Sequence, residues 1–167
     1  ISASLFGVKL RAKRVEIWTD VPGMFTANPH VVESARLVRH LHYEEAQELA
    51  SSGAKVLHPR CLEPLRESSI PLKICWTKYP EFSGTLIDCK VDKTVASVKA
   101  VQSKSGVHLI RMDSIGMWQS VGFLEEIFGC FRRFGLSIDL ISTSQSNVTV
   151  ALDSICNDFD VHTIQRL

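Results

Sequence analysis

What this sequence has little of narrows it first. No apolar run approaches the ~20 residues that a bilayer-spanning helix requires, so no membrane is expected as a partner. Charge of one sign is not in excess: 19 Lys and Arg against 18 Asp and Glu leave a net +1. That balance removes the electrostatic case for nucleic acid as a main partner. The basic cluster at residues 9–14 is broken by Leu10 and Ala12 and followed by Glu16, so it reads as a solvated helix end. The cysteines, Cys61, Cys75, Cys89, Cys130 and Cys156, are odd in number and contain no C-x-x-C pair. They suit reduced, mostly buried thiols in a cytoplasmic protein better than a disulfide frame or a zinc site. His40 and His42 could share one side of a strand, but no third ligand follows at metal spacing. A glycine-rich phosphate loop, a serine nucleophile elbow and a Cys/His pairing are all missing, as are internal repeats and low-complexity tracts.

What remains is an ordinary globular composition, 45% hydrophobic and 22% charged, over 167 residues: one sizeable domain or two small ones. The chain opens inside a helical pattern at residues 4–12, without an initiator Met or a signal sequence. It closes on residues 158–167, whose Phe159, Val161, Ile164 and Leu167 suggest an amphipathic helix. It is therefore expected to be an internal piece of a larger protein.

The first part is organised around Gly53-Ala54-Lys55-Val56-Leu57-His58-Pro59. A helix is predicted from Tyr43 to Ser52, and Gly53 ends it through a left-handed turn. Lys55, just past the break, is either a point cation aimed at a phosphate or a surface lysine in a helix connection. Residues 15–19 alternate and are rich in β-branched and aromatic side chains, so they form a strand running into the loop 20–30. Polar groups at the carboxyl end of such a strand are where open α/β sheets hold ligands. Thr19 and Asp20 could bond a ribose or a base amide and Phe25 could stack on a base; the alternative is a turn in which Asp20 closes its own backbone. A short strand at 35–41, a helix at 60–69 and strands at 70–75 and 85–87 complete an α/β unit.

Composition turns polar around residues 88–96, and a linker is placed there. Beyond it, strands are predicted at 98–101, 107–112 and 137–141, with Val148, Val150 and Leu152 alternating on another. Between them runs a helix with the apolar stripe Phe123, Leu124, Ile127, Phe128 and Phe131, and a last helix starts near Asp158. The order β-α-β-β-α is a ferredoxin-like half-sheet. The loop from Met117 to Gly122 precedes a helix N-terminus, which favours a carboxylate, and Asp139 could receive an ammonium group. Together they would suit a free amino acid; the alternative is a plain turn and an aspartate bonded to a neighbouring backbone group.

Long motifs in collinear order make the chain resemble the aspartate kinases. Trp18-Thr19-Asp20-Val21-Pro22-Gly23 and Thr26-Ala27-Asn28-Pro29-His30 stand where that family carries W-T-D-V-x-G and T-x-D-P-R. G-A-K-V-L-H-P is intact at 53–59 and G-T-L-I at 84–87. Residues 117–123 and Ser137-Ile138-Asp139-Leu140-Ile141-Ser142-Thr143-Ser144 resemble the family's inhibitor-binding ACT domain, in its lysine-sensitive form. The resemblance implies the C-terminal, nucleotide-binding part of an amino-acid-kinase α/β domain at 1–90, and an ACT regulatory domain, incomplete at its C-terminus, at 91–167. It places Thr19, Asp20, Phe25, His30, Lys55 and Val56 on ATP-contacting positions. Met117, Ser120, Phe123, Leu124, Ser137, Ile138 and Asp139, with Ser144 and Gln145 at the edge, fall on the effector site. The implied activity is Mg2+–ATP-dependent phosphorylation of the aspartate β-carboxylate, restrained by an amino acid, lysine foremost, in a cytoplasmic homodimer joined through its ACT sheets. No catalytic residue falls within the chain, which is not expected to catalyse alone. Asn28, His30, Phe25 and Gln145 depart from the family's usual Asp, Arg, Tyr and Glu. An amino-acid-sensing module without kinase activity is the alternative.

Overall fold

The computed structural model describes residues 1–53, 56–90, 98–154 and 156–157. The chain divides into two compact units, Ile1–Ser103 and Lys104–Leu167.

The first unit opens with helix α1 (Ser2–Lys9), followed by β1 (Val15–Thr19), β2 (His40–His42), α2 (Tyr43–Ser51), a 3-10 turn (Pro59–Cys61), α3 (Leu62–Glu67), β3 (Leu72–Trp76) and β4 (Thr85–Asp88). The sheet order is β1-β3-β4-β2. β1 runs parallel to β3 and β2 parallel to β4, while β3 and β4 are antiparallel. The inner strands carry the apolar load: Leu72, Ile74 and Ile87 are fully buried, with Leu41, Leu65 and Ala46 packed into the same core. Helix α2 starts on a reciprocal cap, in which His42 Nδ1 accepts from the Glu44 N–H at 3.3 Å and the Glu45 carboxylate accepts from the His42 N–H at 2.7 Å. It ends at Ser51, and Gly53 follows at φ +118° as expected of the terminator. Tyr43, buried at the foot of α2, donates its hydroxyl to the Ile70 carbonyl. Burial, then the nearby Cys89 and Asp88, pushes that phenol well above its ordinary range, so it stays a donor.

The second unit holds β5 (Val107–Asp113), a 3-10 turn (Ile115–Met117), α4 (Phe123–Arg133), β6 (Leu140–Thr143) and β7 (Asn147–Asp153). The sheet order is β5-β7-β6, with β7 antiparallel to both neighbours. β5 and β6 are thus parallel, joined through α4 with β7 inserted between them, the split β-α-β of ferredoxin-like folds. Val148, Val150 and Leu152 of β7 are fully buried and meet Phe131, with Phe123, Ile127 and Phe128 of α4 packed alongside.

Several sequence expectations are corrected. Residues 98–101 form no strand; the Val101 N–H donates to the Thr26 carbonyl within the first unit. The strand expected at 35–41 contracts to a Phe25–Leu37 bridge and the three residues of β2. The helix expected at 60–69 begins as a 3-10 turn because Pro59 and a His58 side-chain cap tighten its entry. Leu124, placed on the apolar stripe, is 40% exposed. β6 starts at Leu140 rather than Ser137, because the Asn157 side chain takes both backbone groups of Ser137. The helix expected from Asp158 lies outside the described residues.

Candidate nucleotide and effector sites

In the first unit, β1 and β3 end level, with Thr19 opposite Trp76. Beyond that level the two strand ends are tied together. The Thr77 N–H and hydroxyl both donate to the Thr19 carbonyl, each at 2.9 Å, and Trp76 Nε1 donates to the Asp20 carbonyl at 3.0 Å. The Thr19 hydroxyl donates to Asp20 Oδ1 at 3.0 Å. Thr19 and Asp20 therefore form one polar step outside the carboxyl ends of two parallel strands, with the Asp20 carboxylate exposed.

The loop after them is fastened from below. Thr85, fully buried at the start of β4, accepts from the Met24 N–H at 2.9 Å and donates its hydroxyl to the Val38 carbonyl at 2.7 Å. Gly23, at φ +146°, lies so close that a Cβ would sit 2.5 Å from the Thr85 hydroxyl. Phe25, half-buried, is held by its bridge to Leu37, and the Thr26 N–H donates to the Arg36 carbonyl at 2.8 Å. His30 is exposed, and its N–H donates to Asn28 Oδ1 at 3.0 Å, so the Asn28 amide is engaged in turning its own loop. Val56 packs on the core, and Lys55 lies outside the described residues. Thr19 and Asp20 are in direct contact; Phe25 is held by its bridge to Leu37, His30 by Asn28 in its own loop, and Val56 by the core. His40 and His42 are occupied structurally, His40 Nε2 at 2.8 Å from Asp88 Oδ1 and His42 in its cap.

In the second unit the expected effector residues fall at two ends. Met117 and Phe123 pack on the core past the end of β5, with Ser120 and Leu124 more exposed beside them. Ser144 and Gln145 share that end: the Ser144 hydroxyl accepts from the Ser146 and Asn147 N–H groups and closes the β6–β7 turn, and the Ser114 N–H donates to the Ser146 carbonyl. Ser137, Ile138 and Asp139 stand at the opposite end of β6. Ile138 packs on the core there, and the Asp139 N–H donates to the Ala151 carbonyl at 2.9 Å. At ~3.4 Å per residue, the five steps from Asp139 to Ser144 span about 17 Å along the strand. One amino acid does not reach across that within a single copy.

Three residues that sequence reasoning missed hold these positions. Thr85 fastens the loop over β4. Asn157, 4% exposed, accepts from the Ser137 N–H at 2.5 Å and donates Nδ2 to the Ser137 and Asp153 carbonyls at 3.0 and 2.9 Å. Lys104 places Nζ at 2.8 Å from both Asp139 Oδ2 and Asp153 Oδ2. Lys104 and Asp153 lie far from Asp139 in sequence, and no local pattern links them to it.

Residues 1–75 match the amino acid kinase family. Lysine-sensitive aspartokinase 3 of Escherichia coli strain K12 is 40% identical over 153 residues, 92% of this chain and 34% of that protein. The chloroplastic aspartokinase 1 of Arabidopsis thaliana is 34% identical over 92% of this chain and 27% of its own length. Among solved structures, E. coli aspartokinase III in complex with aspartate and ADP (R-state) superposes with a TM-score of 0.84 at 37% identity, covering 99% of this chain and 38% of that one. The same protein in complex with lysine and aspartate (T-state) gives 0.80 at 36% identity, again over 99% and 38%. By sequence and by fold the chain belongs with the aspartokinases, of which it spans about a third of the length.

Proposed function

We propose that this chain is the nucleotide-binding side of an aspartate kinase, carried by the unit Ile1–Ser103, followed by a first ACT domain, carried by the unit Lys104–Leu167, that receives an inhibitory amino acid, lysine. One observation carries the reading. The fold matches over 99% of the chain a relative whose structures are complexes with aspartate and ADP in one case and with lysine and aspartate in the other. In the proposed reaction an aspartate β-carboxylate oxygen attacks the γ-phosphorus of ATP and the bond to the ADP oxygen breaks. Such transfers rest on positioning and charge neutralisation. The residues of this chain would bind and orient the nucleotide: the Thr19 hydroxyl and Asp20 toward ribose or base, the Phe25 ring as a stacking face, His30 and Lys55 toward phosphate, with Val56 at the wall. ATP enters as its Mg2+ complex, and no metal ligand is assigned on this chain.

The effector site is proposed to form between two copies. β6 is an edge strand, exposed along its length, with Leu140 72% and Ile141 52% accessible. Antiparallel pairing of two β6 strands about a two-fold axis would bring Ser137, Ile138 and Asp139 of one copy beside Ser144 and Gln145 of the other. The two half-sites then become one.

The test is calorimetric titration of the full-length protein with L-lysine and then L-threonine, with aspartate-dependent ADP formation followed in parallel. Lysine binding that suppresses the activity is the expected result. Binding without activity would make the protein a sensor, in line with the Asn28 and His30 departures. Activity with no response to either amino acid would overturn the regulatory half.

A further inference from the structure

The carboxylate assigned above to an effector ammonium already holds one. Lys104 Nζ lies 2.8 Å from Asp139 Oδ2 and 2.8 Å from Asp153 Oδ2. The two acceptors differ. The Asp153 side chain is 4% exposed and belongs to the central strand, whereas that of Asp139 is 29% exposed and lies ahead of the edge strand. Lysine's four-carbon stem pivots easily and its three N–H donors need no fixed fork. The Lys104 ammonium can therefore let go of Asp139 while Asp153 retains it.

We propose that Lys104 competes with the amino-acid effector for the Asp139 carboxylate, and thereby sets the affinity of the regulatory site. This rests on the reading of Asp139 as an effector contact. An arriving ammonium must displace the internal one or share an acceptor with it, and two cations on one carboxylate repel. The two acceptors raise the Lys104 pKa to about 12, so the internal competitor is charged across the working range of pH. Effectors that bring no ammonium to Asp139 would not meet this barrier, so the residue tunes selectivity as well as affinity.

The experiment is L-lysine calorimetry on the full-length protein and on Lys104→Met, Lys104→Met/Asp153→Asn and Asp139→Asn, each with a thermal melt. The double variant keeps the test valid if Lys104→Met alone, which takes the ammonium away from the buried Asp153 carboxylate, fails to fold. Expected is a three- to thirtyfold lower Kd in whichever Lys104 variant melts like the parent, and loss of binding in Asp139→Asn. A Kd within twofold of the parent, or a weaker one, in a natively folded Lys104 variant would overturn the competition while the effector reading survives through Asp139→Asn. Unchanged binding in Asp139→Asn would instead overturn the effector reading, and the competition with it.

Discussion

Gly84 sits at φ +64°, and a Cβ there would lie 2.0 Å from the Ile74 carbonyl oxygen. The atoms it would meet belong to the backbone of Ile74 and Cys75 rather than to a flexible side-chain end, so Gly84→Ala is expected to cost ~3 kcal/mol or more by urea denaturation. The next residue acts through polarity rather than space. Thr85→Val leaves the Met24 N–H and the Val38 carbonyl without their buried partner, at ~2–3 kcal/mol, and Thr85→Ser recovers most of it. Both residues lie in the G-T-L-I stretch that the sequence singled out, yet their tasks were not legible. One depends on a carbonyl ten residues upstream in β3, the other on loop groups 61 and 47 residues upstream. Asp88 adds a pH dependence. Burial works to raise its carboxyl, but the hydrogen bonds from His40 and the Lys90 N–H outweigh it and leave the pKa below the ordinary value. A depressed carboxyl stabilises above its unfolded pKa of ~4 and loses that contribution as pH falls through the folded value. Urea midpoints taken from about pH 7 down to about pH 3 should fall less steeply in Asp88→Asn than in the parent.

Helix α4 was legible almost whole, because a stripe with a 3.6-residue period survives without tertiary help. Its exception is instructive. Phe131 is 1% exposed and Leu124 40%, although both lie on the apolar side. Phe131→Ala is expected to cost ~3–5 kcal/mol and Leu124→Ala less than ~0.5 kcal/mol in thermal or urea unfolding. Leu124→Ala should act on effector binding instead. Short elements were the illegible ones: β2 is three residues long, and its existence depends on β4 beside it rather than on its own pattern. His42, for which the sequence offered no third ligand and hence no metal site, has a structural task that its own pattern does not show. Its ring nitrogen caps α2 from the strand side, and removing the reciprocal partner in Glu45→Ala should cost ~1 kcal/mol.

At the scale of the molecule, the collinear motifs place the α/β unit ahead of the ferredoxin-like unit, which is the order of the folded chain. The placement of residues 137–139 and 144–145 at opposite ends of β6 could not be read, because motif spacing along a chain says nothing of strand ends. The proposed pairing of β6 edges has a direct check: Leu140→Asp, at a position 72% exposed, should leave the fold of a single copy intact and shift the full-length protein to monomer in sedimentation, with lysine binding lost. The same arrangement predicts subunit complementation. A protomer carrying Asp139→Asn and one carrying Ser144→Ala/Gln145→Ala would each fail to bind lysine as pure dimers. In a hybrid of the two, both defects fall into one pocket and the other is assembled entirely from unaltered halves, so mixing two silent proteins would restore a response that neither possesses.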